Sequence, residues 1–486
     1  MSLTTTLSIA QQALNTNAAL STIVSRNIAG VNDPNYSTKT AQVETTQDGG
    51  VQVASIRNAT DTALFNNLLT ANAGAASASA LSGGLDQLEQ TLGLSTTATD
   101  GTSADTSPAT LIGALSDALG QYAASPADST LGTAAVAAAK TLATNLNTAA
   151  AAVQSVRQQA DKGIATAVGT VNSLLGQFAT ANAAVVQATV MGTDGTDAID
   201  ARNTILQSLS TQLGISTADA GNGGLAIYTD GGATLFQGTA RTVAYTSGVV
   251  TVDGVAVTGA GASMPSKTGT IAGLAQLRDT TAVAYGNQLD QIANGLISAF
   301  SETGQSNGQS STLPGLFTES ANATGAAAGL TVAAAVDPNQ GGNVTLLRDG
   351  GINNTPASGS TPANTSYTAN TGGGASYSAY LQAQLGKLGK ASDPAISAGG
   401  VSGGTLADYA ASSVSWLEST RQAASTDATN KAAVVTQTTT NLSSATGVSL
   451  DDQLSKMLDL EHSYQASAEL MTTVKSMLDS LLSAMN

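Results

Sequence analysis

The sequence predicts a mainly α fold with a small inserted β module. Its N- and C-terminal helices pair as a coiled-coil inner domain, with a helical-bundle domain outside it. Three observations predict this: heptad stripes at both ends of the chain, long proline-free runs with three/four apolar spacing between them, and one stretch where the period changes to two.

The N-terminal element comes first. Residues 1–29 contain no Gly or Pro, and Arg26 is their only charge. Steps of four and three from Leu3 reach Leu7, Ala10, Leu14, Asn17, Ser21, Val24, Ile28 and Val31, a stripe with two polar interruptions. That pattern predicts a helix of about 28 residues, roughly 40 Å long. It stops at Gly30, before the turn cluster Asn32-Asp33-Pro34-Asn35. Residues 33–60 read as turn and extended linker.

The bundle follows. Ala59 to Leu94 reads as helix, with Leu64, Leu68, Leu81, Leu85, Leu88 and Leu92 as core candidates. A Thr/Ser/Asp loop spans Thr96 to Ser107, and a short helix begins at Pro108. From Ser129 to Val190 there is no proline, and Val153, Val156, Ala160, Ile164, Ala167, Val171, Leu174, Phe178, Ala181 and Val185 keep helical spacing. Around Asp230-Gly231-Gly232 and Asp253-Gly254 the pattern becomes that of hairpins. The bundle therefore divides into a first part at 61–215, the β module at 216–270 and a returning helix at 271–305. A Gly/Ser/Thr-rich stretch of loop and weak strands at 306–376 follows, then a last helical part at 377–446.

The chain closes as it opens, with no Gly or Pro after Gly447. Ser449-Leu450-Asp451-Asp452 reads as a cap with acid in the first turn. Leu450, Leu454, Met457, Tyr464, Ala468, Met471, Leu478 and Leu482 form the stripe of the element at 447–486, and Leu458, Leu460, Val474 and Leu481 widen it. A stripe wider than a two-strand seam predicts more than one partner. The terminal helix at 1–32 is the economical first partner, because single helices with bare apolar stripes are marginal in water. The contact set read from this pairing is Leu3, Leu7, Leu14, Val24 and Ile28 with Leu450, Leu454, Met457, Tyr464, Met471, Leu478 and Leu482.

Composition narrows the function. Charged residues are 10% of the chain, and 17 basic against 33 acidic residues leave a net charge of −16, the wrong sign for nucleic acid. There is no cysteine and a single histidine, His462, so thiolate chemistry and any two-histidine mechanism are excluded. No run of 18 apolar residues spans a membrane, and the start lacks the pattern of a cleavable secretory signal. Asp194, Asp197 and Asp200 lack the spacing of a calcium loop and read as a loop at a helix start. His462 beside Glu461 points away from it and reads as a solvated or interface side chain; Trp416 reads as core or interface. Gly372-Gly373-Gly374 lacks a phosphate-loop lysine. No catalytic residue, cofactor site or metal site emerges.

The segment Asn27-Ile28-Ala29-Gly30-Val31-Asn32-Asp33-Pro34-Asn35-Tyr36-Ser37 resembles the N-terminal signature of bacterial flagellar rod, hook and hook-associated axial proteins. Gly447 to Leu454, Tyr464 to Ala468 and Met477-Leu478-Asp479 resemble their C-terminal signature. Within that family, Tyr36-Ser37 and the segment Gly273 to Thr281 favour the hook-associated type over the hook protein. Asn27, Ile28, Asn32, Pro34, Tyr36 and Ser37 are the motif positions. Asn35 stands where the family has Gly, as a residue that tolerates the left-handed conformation, and Thr38 replaces a common Arg.

The resemblance implies a structural, non-enzymatic role at the hook–filament junction, outside the cell, after export through the flagellar type III apparatus. It implies as partners further copies in a ring, the hook protein, the second junction protein, and an export chaperone at the C-terminal region. Nucleic acid and membrane are not among them. Another axial protein, the hook protein or the second junction protein, is the alternative within the family; a secreted enzyme or adhesin on a flagellar export frame is the alternative outside it.

Overall fold

The computed structural model describes residues 3–92, 106–302, 313–320, 323–352, 368–390 and 404–484. Helices dominate. In chain order they are α1 (Leu3–Gly30), α2 (Thr62–Leu92), α3 (Pro108–Ala124), α4 (Ser129–Met191), α5 (Thr196–Gln212), α6 (Thr270–Gln276), α7 (Ala282–Ala299), α8 (Ala326–Gly329), α9 (Thr345–Asp349), α10 (Ala379–Leu388), α11 (Leu406–Thr446) and α12 (Leu450–Ala484). The strands are β1 (Lys39–Thr45), β2 (Val51–Asn58), β3 (Ile215–Gly221), β4 (Gly224–Thr229), β5 (Thr234–Gln237), β6 (Thr239–Ala240), β7 (Val243–Thr246), β8 (Val249–Val252), β9 (Val255–Ala256), β10 (Phe317–Glu319) and β11 (Leu330–Val332). Most of the loop read at Thr96–Ser107, the end of the returning helix at 303–305, and 306–312, 321–322 and 353–367 of the Gly/Ser/Thr-rich stretch lie outside the described residues. So do the side chains of Leu3, Leu92 and Leu482.

The chain forms two compact units, one of residues 1–80, 163–273 and 426–486, the other of residues 81–162 and 274–425. In the first, β3-β4-β5-β6 and β7-β8-β9 form two antiparallel sheets. Three of their hairpins turn through pairs of residues with positive φ: Asn222-Gly223, Ser247-Gly248 and Asp253-Gly254. Positive φ at both central positions is the twist-matched two-residue turn, which Asn-Gly and Asp-Gly adopt at least cost. Two asparagines of α4 serve the strands as backbone amides would. Asn172 donates to the Val243 carbonyl at 2.8 Å and accepts from its N–H at 3.1 Å, and Asn182 accepts from the N–H of Leu225. Phe178 of α4 meets Phe236 of β5 edge-on, with ring centroids 4.9 Å apart.

Where the sequence reads as an extended linker, β1 and β2 form an antiparallel hairpin with a bulge at Gln42/Val43. Its cue is the alternation on either side of Asp48-Gly49-Gly50, where Gly49 takes the left-handed conformation (φ 84°). Asn35 differs as well. It is not left-handed; its N–H binds the Asp33 carboxylate at 2.9 Å, so an Asx turn closes this loop without a positive φ.

The second unit has one continuous apolar core. Leu85 and Leu88 of α2, Leu115, Leu119 and Tyr122 of α3, Leu142 and Leu146 of α4, Leu289, Ile292 and Leu296 of α7, and Tyr409 and Leu417 of α11 are buried together. Trp416 packs half-buried at its margin. Phe300 and Phe317 meet edge-on at 5.3 Å, bringing the β10–β11 ladder onto this core. Between α6 and α7 the helix widens into a π-turn over Leu277–Thr281. The Arg278 carbonyl accepts from Arg157 Nε, and the Arg278 guanidinium clamps Asp279 and reaches Asp161. A π-turn thus places a nearly buried arginine between two carboxylates.

Ser129–Met191 is long and apolar enough, by composition, to cross a bilayer. Its apolar row is nevertheless buried at Val153, Val156, Ile164, Val171, Leu175 and Phe178, the pattern of a core helix with one enclosed face. Because Leu146 is fully enclosed, Leu146→Ala is expected to destabilise the protein by about 2–5 kcal/mol. Urea unfolding checks this, and a loss below about 1 kcal/mol would contradict the burial.

Candidate assembly interface

Helices α1 and α12 pack against each other antiparallel, and two polar contacts set their register. Asn17 Nδ2 donates to Ser463 Oγ at 3.0 Å, and Asn27 Nδ2 donates to Gln453 Oε1 at 2.9 Å. Asn17 is one of the polar interruptions in the α1 stripe, and it is buried. A buried amide in an apolar seam costs stability unless satisfied, so it selects the one register that satisfies it. On α12 the residues turned inward recur every seven positions: Gln453, Leu460, Ser467 and Val474, of which Gln453 and Val474 are fully buried.

At the far end of α1 the signature turn is built around Asn27. Its Nδ2 also donates to the Lys39 carbonyl at 2.9 Å, while its Oδ1 accepts from the Lys39 N–H at 2.9 Å and from the Tyr36 hydroxyl at 3.0 Å. One amide thereby joins α1, the turn, β1 and α12. Tyr36 lies against Gly30, where a Cβ would come within 2.5 Å of the ring; no larger residue fits there. Thr38 ties the turn to the end of α11, donating from its N–H to the Thr446 carbonyl at 2.8 Å and from its hydroxyl to the Gly447 carbonyl at 2.6 Å.

The charges close on the same spot. The Lys39 side chain is fully buried, with Nζ 2.6 Å from Asp200 and 3.2 Å from Asp197 and the ammonium 4.1 Å above the Tyr36 ring. Arg26 reaches Asp194 at 2.8 Å and Asp197 at 2.5 Å. The acidic loop weighed above as a calcium site is therefore occupied by two cations of this chain. Among the described residues no cluster of three His, Cys, Asp or Glu side chains could hold a metal ion.

Burial pulls the Asp194 and Asp197 carboxyls up, but bonds from Thr196 and Arg26 to the first, and from Arg26 and Lys39 to the second, hold both below the usual range. Burial pushes Asp200 up in spite of Lys39. For Lys39 burial acts downward, and the bond and charge of Asp200 outweigh it, keeping the ammonium above its ordinary value.

The residues read as the contact set are placed as follows. Val24 is buried, and Leu7, Leu14 and Ile28 are half-buried on α1. On α12, Met471 and Leu478 are half-buried, whereas Leu450, Leu454, Met457 and Tyr464 stand 42–52% exposed. Of the signature positions, Ile28, Tyr36 and Ser37 are half-buried while Asn32 and Pro34 are exposed. His462 is exposed on α12. Sequence reading missed Gln453, Lys39 and Asp200 as parts of one junction. The Lys39–Asp200 bond joins residues 161 positions apart, and no local pattern announces such a pair.

Two predictions test this junction. Asn27→Ala leaves several buried groups without partners, and a loss on the order of 3 kcal/mol is expected in urea unfolding. In acid, a carboxyl whose folded pKa is depressed stabilises above its unfolded value and stops doing so as pH falls through the folded value. Stability should therefore fall as the pH drops below about 4. The Asp194→Asn/Asp197→Asn double variant should show a shallower fall in the same acid titration, and an unchanged slope would remove these two groups as its cause.

Residues 85–312 match the family described as the flagellar hook-associated protein FlgK helical domain, and residues 441–484 match the flagellar basal body rod FlgEFG protein C-terminal family. The first match covers slightly less than half of the chain. A similar solved structure is the flagellar hook junction protein FlgK from Burkholderia pseudomallei, at 22% identity over 52% of this chain and 47% of that one, with a TM-score of 0.42. The match thus spans about half the length of that protein. No curated protein sequence matches the chain.

Proposed function

We propose that this chain is a flagellar hook-associated protein of the FlgK type, whose helical-domain family matches residues 85–312, and that it is a structural part of the hook–filament junction, assembled into a ring through its terminal helix pair. The observation that carries the reading is the exposed apolar surface of α12. Of the fifteen large apolar side chains exposed among the described residues, eight lie on this one helix: Leu450, Leu454, Met457, Leu458, Tyr464, Leu470, Met477 and Leu481. Apolar surface concentrated on a single helix marks an interaction face. The exposed row of α1 offers the complement, with Thr4, Ser8, Gln11, Asn15, Ala18, Thr22, Ser25 and Ala29 at heptad spacing. Uncharged and mostly small, these residues let a neighbouring helix approach closely.

In this reading the elements at 1–32 and 447–486 form the inner domain, and the contacts between copies use its exposed Leu454, Met457 and Tyr464. The residues already covered, Val24 and Ile28 among them, hold the pair together. The protein acts by packing rather than by catalysis, outside the cell, between the hook protein and the second junction protein. Export through the flagellar type III apparatus requires threading an unfolded chain, and a sequence without cysteine cannot be trapped by disulfides on the way. A chaperone bound at the C-terminal region would cover the same apolar row until assembly. The C-terminal match to rod proteins keeps a position elsewhere along the axis as the second reading, which the identity of the neighbour bound decides.

Leu454→Asp/Leu458→Asp places two charges on the exposed row without touching the buried seam. The variant is expected to keep its far-UV circular dichroism but to fail to join hook to filament, leaving cells with hooks and no filaments. Full-length filaments and normal swimming would overturn the proposal.

A further inference from the structure

Lys39 and Asn58 face each other across the first rung of the β1–β2 ladder, and directly opposed residues leave a sheet on the same face with their Cβ atoms about 5 Å apart. Both side chains reach one carboxylate. Lys39 Nζ donates to Asp200 Oδ2 at 2.6 Å, and Asn58 Nδ2 donates to Asp200 Oδ1 at 2.7 Å. Asn58 Nδ2 also donates to the Thr196 carbonyl at 3.1 Å, which fixes the plane of the amide. Asn58 Oδ1, by contrast, is enclosed without a hydrogen-bond partner, so structural hydrogen bonding accounts for only half of this amide.

An amine, a carboxamide and a carboxylate that bridges them are the components of an acyl transfer. The amine attacks only when neutral, and Asp200 is placed to take its proton. The ion pair is the resting state. Burial nevertheless lowers the cost of the neutral pair at both ends, acting against the ammonium of Lys39 and against the charge of Asp200. Once protonated, Asp200 sits beside Nδ2, the atom that has to leave. The Lys39 side chain has no exposed surface and lies under the Tyr36 ring, so water is kept from the amine. Folding holds the reactants together, which removes the entropy cost of an encounter.

We propose that Lys39 and Asn58 become joined by an isopeptide bond in the folded chain, with Asp200 as the catalytic proton carrier. Nζ attacks Asn58 Cγ after passing one proton to Asp200, and it gives up a second once the Nζ–Cγ bond has formed. Asp200 carries both to Nδ2, the Cγ–Nδ2 bond breaks, and the nitrogen leaves as ammonium. The carboxylate is regenerated, and nothing is oxidised or reduced. Asn58 is the acyl donor rather than Asp200, because an amide carbon carries no charge to repel the amine's lone pair, whereas a carboxylate in an ion pair does. The product closes residues 39–58 into a covalent ring beside the signature turn. This self-modification needs only the folded chain, so its test does not depend on ring formation or on a place in the flagellum.

The test is intact mass spectrometry and tryptic mapping of the full chain, purified folded and incubated at neutral pH. The protein is expected to be lighter than its sequence by one ammonia. Trypsin does not cut after an acylated lysine, so it should release residues 27–57 joined to residues 58–140. Asp200→Asn should slow the linkage by about a hundredfold or more while keeping the wild-type circular dichroism. Asn58→Ala should abolish the joined peptide and serves if the Asp200 variant does not fold. Full mass in the folded wild type, loss of water with Lys39 joined to Asp200, or the same ammonia loss from Asn58→Ala would overturn the proposal. A folded Asp200→Asn that links as fast as the wild type would overturn the role of Asp200.

Discussion

The carboxamide of Asn27 holds four connections at once, and the inner part of the fold depends on them. Its two ends engage Lys39 as a strand partner would, its second N–H fixes Gln453 of α12, and its oxygen receives Tyr36. A carboxylate there could not donate, and an aliphatic side chain could do neither. Around it the Lys39 ammonium is enclosed between Asp200, Asp197 and an aromatic face. An enclosed ion pair of this kind contributes little net energy against an apolar equivalent. Its effect is directional: it holds the turn against the start of α5, and Arg26 repeats the restraint from α1 through Asp194 and Asp197.

The sequence made the helices legible because their periodicity is local. The α1 stripe, the long α4 and the closing α12 can all be read from spacing alone. Hairpin chemistry was partly legible: Asp253-Gly254 announces its turn, while Asn222-Gly223 and Ser247-Gly248 make the same turn with less apolar alternation around them. The β1–β2 hairpin was read as a linker because Thr, Gln and Glu alternate with its few apolar residues, so its hydrophobic signal is faint. The phase of α12 was the least legible feature of the interface. Amphipathicity shows that a face is apolar but not which neighbour covers it. Here Gln453, a polar residue, is the most enclosed side chain of α12, while Leu450, Leu454, Met457, Leu458 and Tyr464 stay exposed.

The two units are held by different means. In one, an uninterrupted apolar core runs through α2, α3, α4, α7, α8, α9, α10, α11 and the β10–β11 ladder. In the other, much of the order near the signature turn comes from hydrogen bonds and enclosed charge, and the apolar surface of α12 is left unused by the chain itself. Alanine and hydroxyl residues in place of long charged side chains keep the helices slim, and a chain with 10% charged residues has few groups that must be desolvated when copies meet.

The antiparallel seam also has a consequence in time. Asn17 and its partner Ser463 are separated by 446 positions. A contact of that span closes nearly the whole chain into one loop, with an entropy cost that grows only slowly with length but a formation rate that suffers from it. During synthesis, α1 emerges more than four hundred residues before α12. The β1–β2 hairpin can cover part of α1 early, as the Thr16–Val51 bond shows, but the clasp with α12 has to wait until that helix has been made.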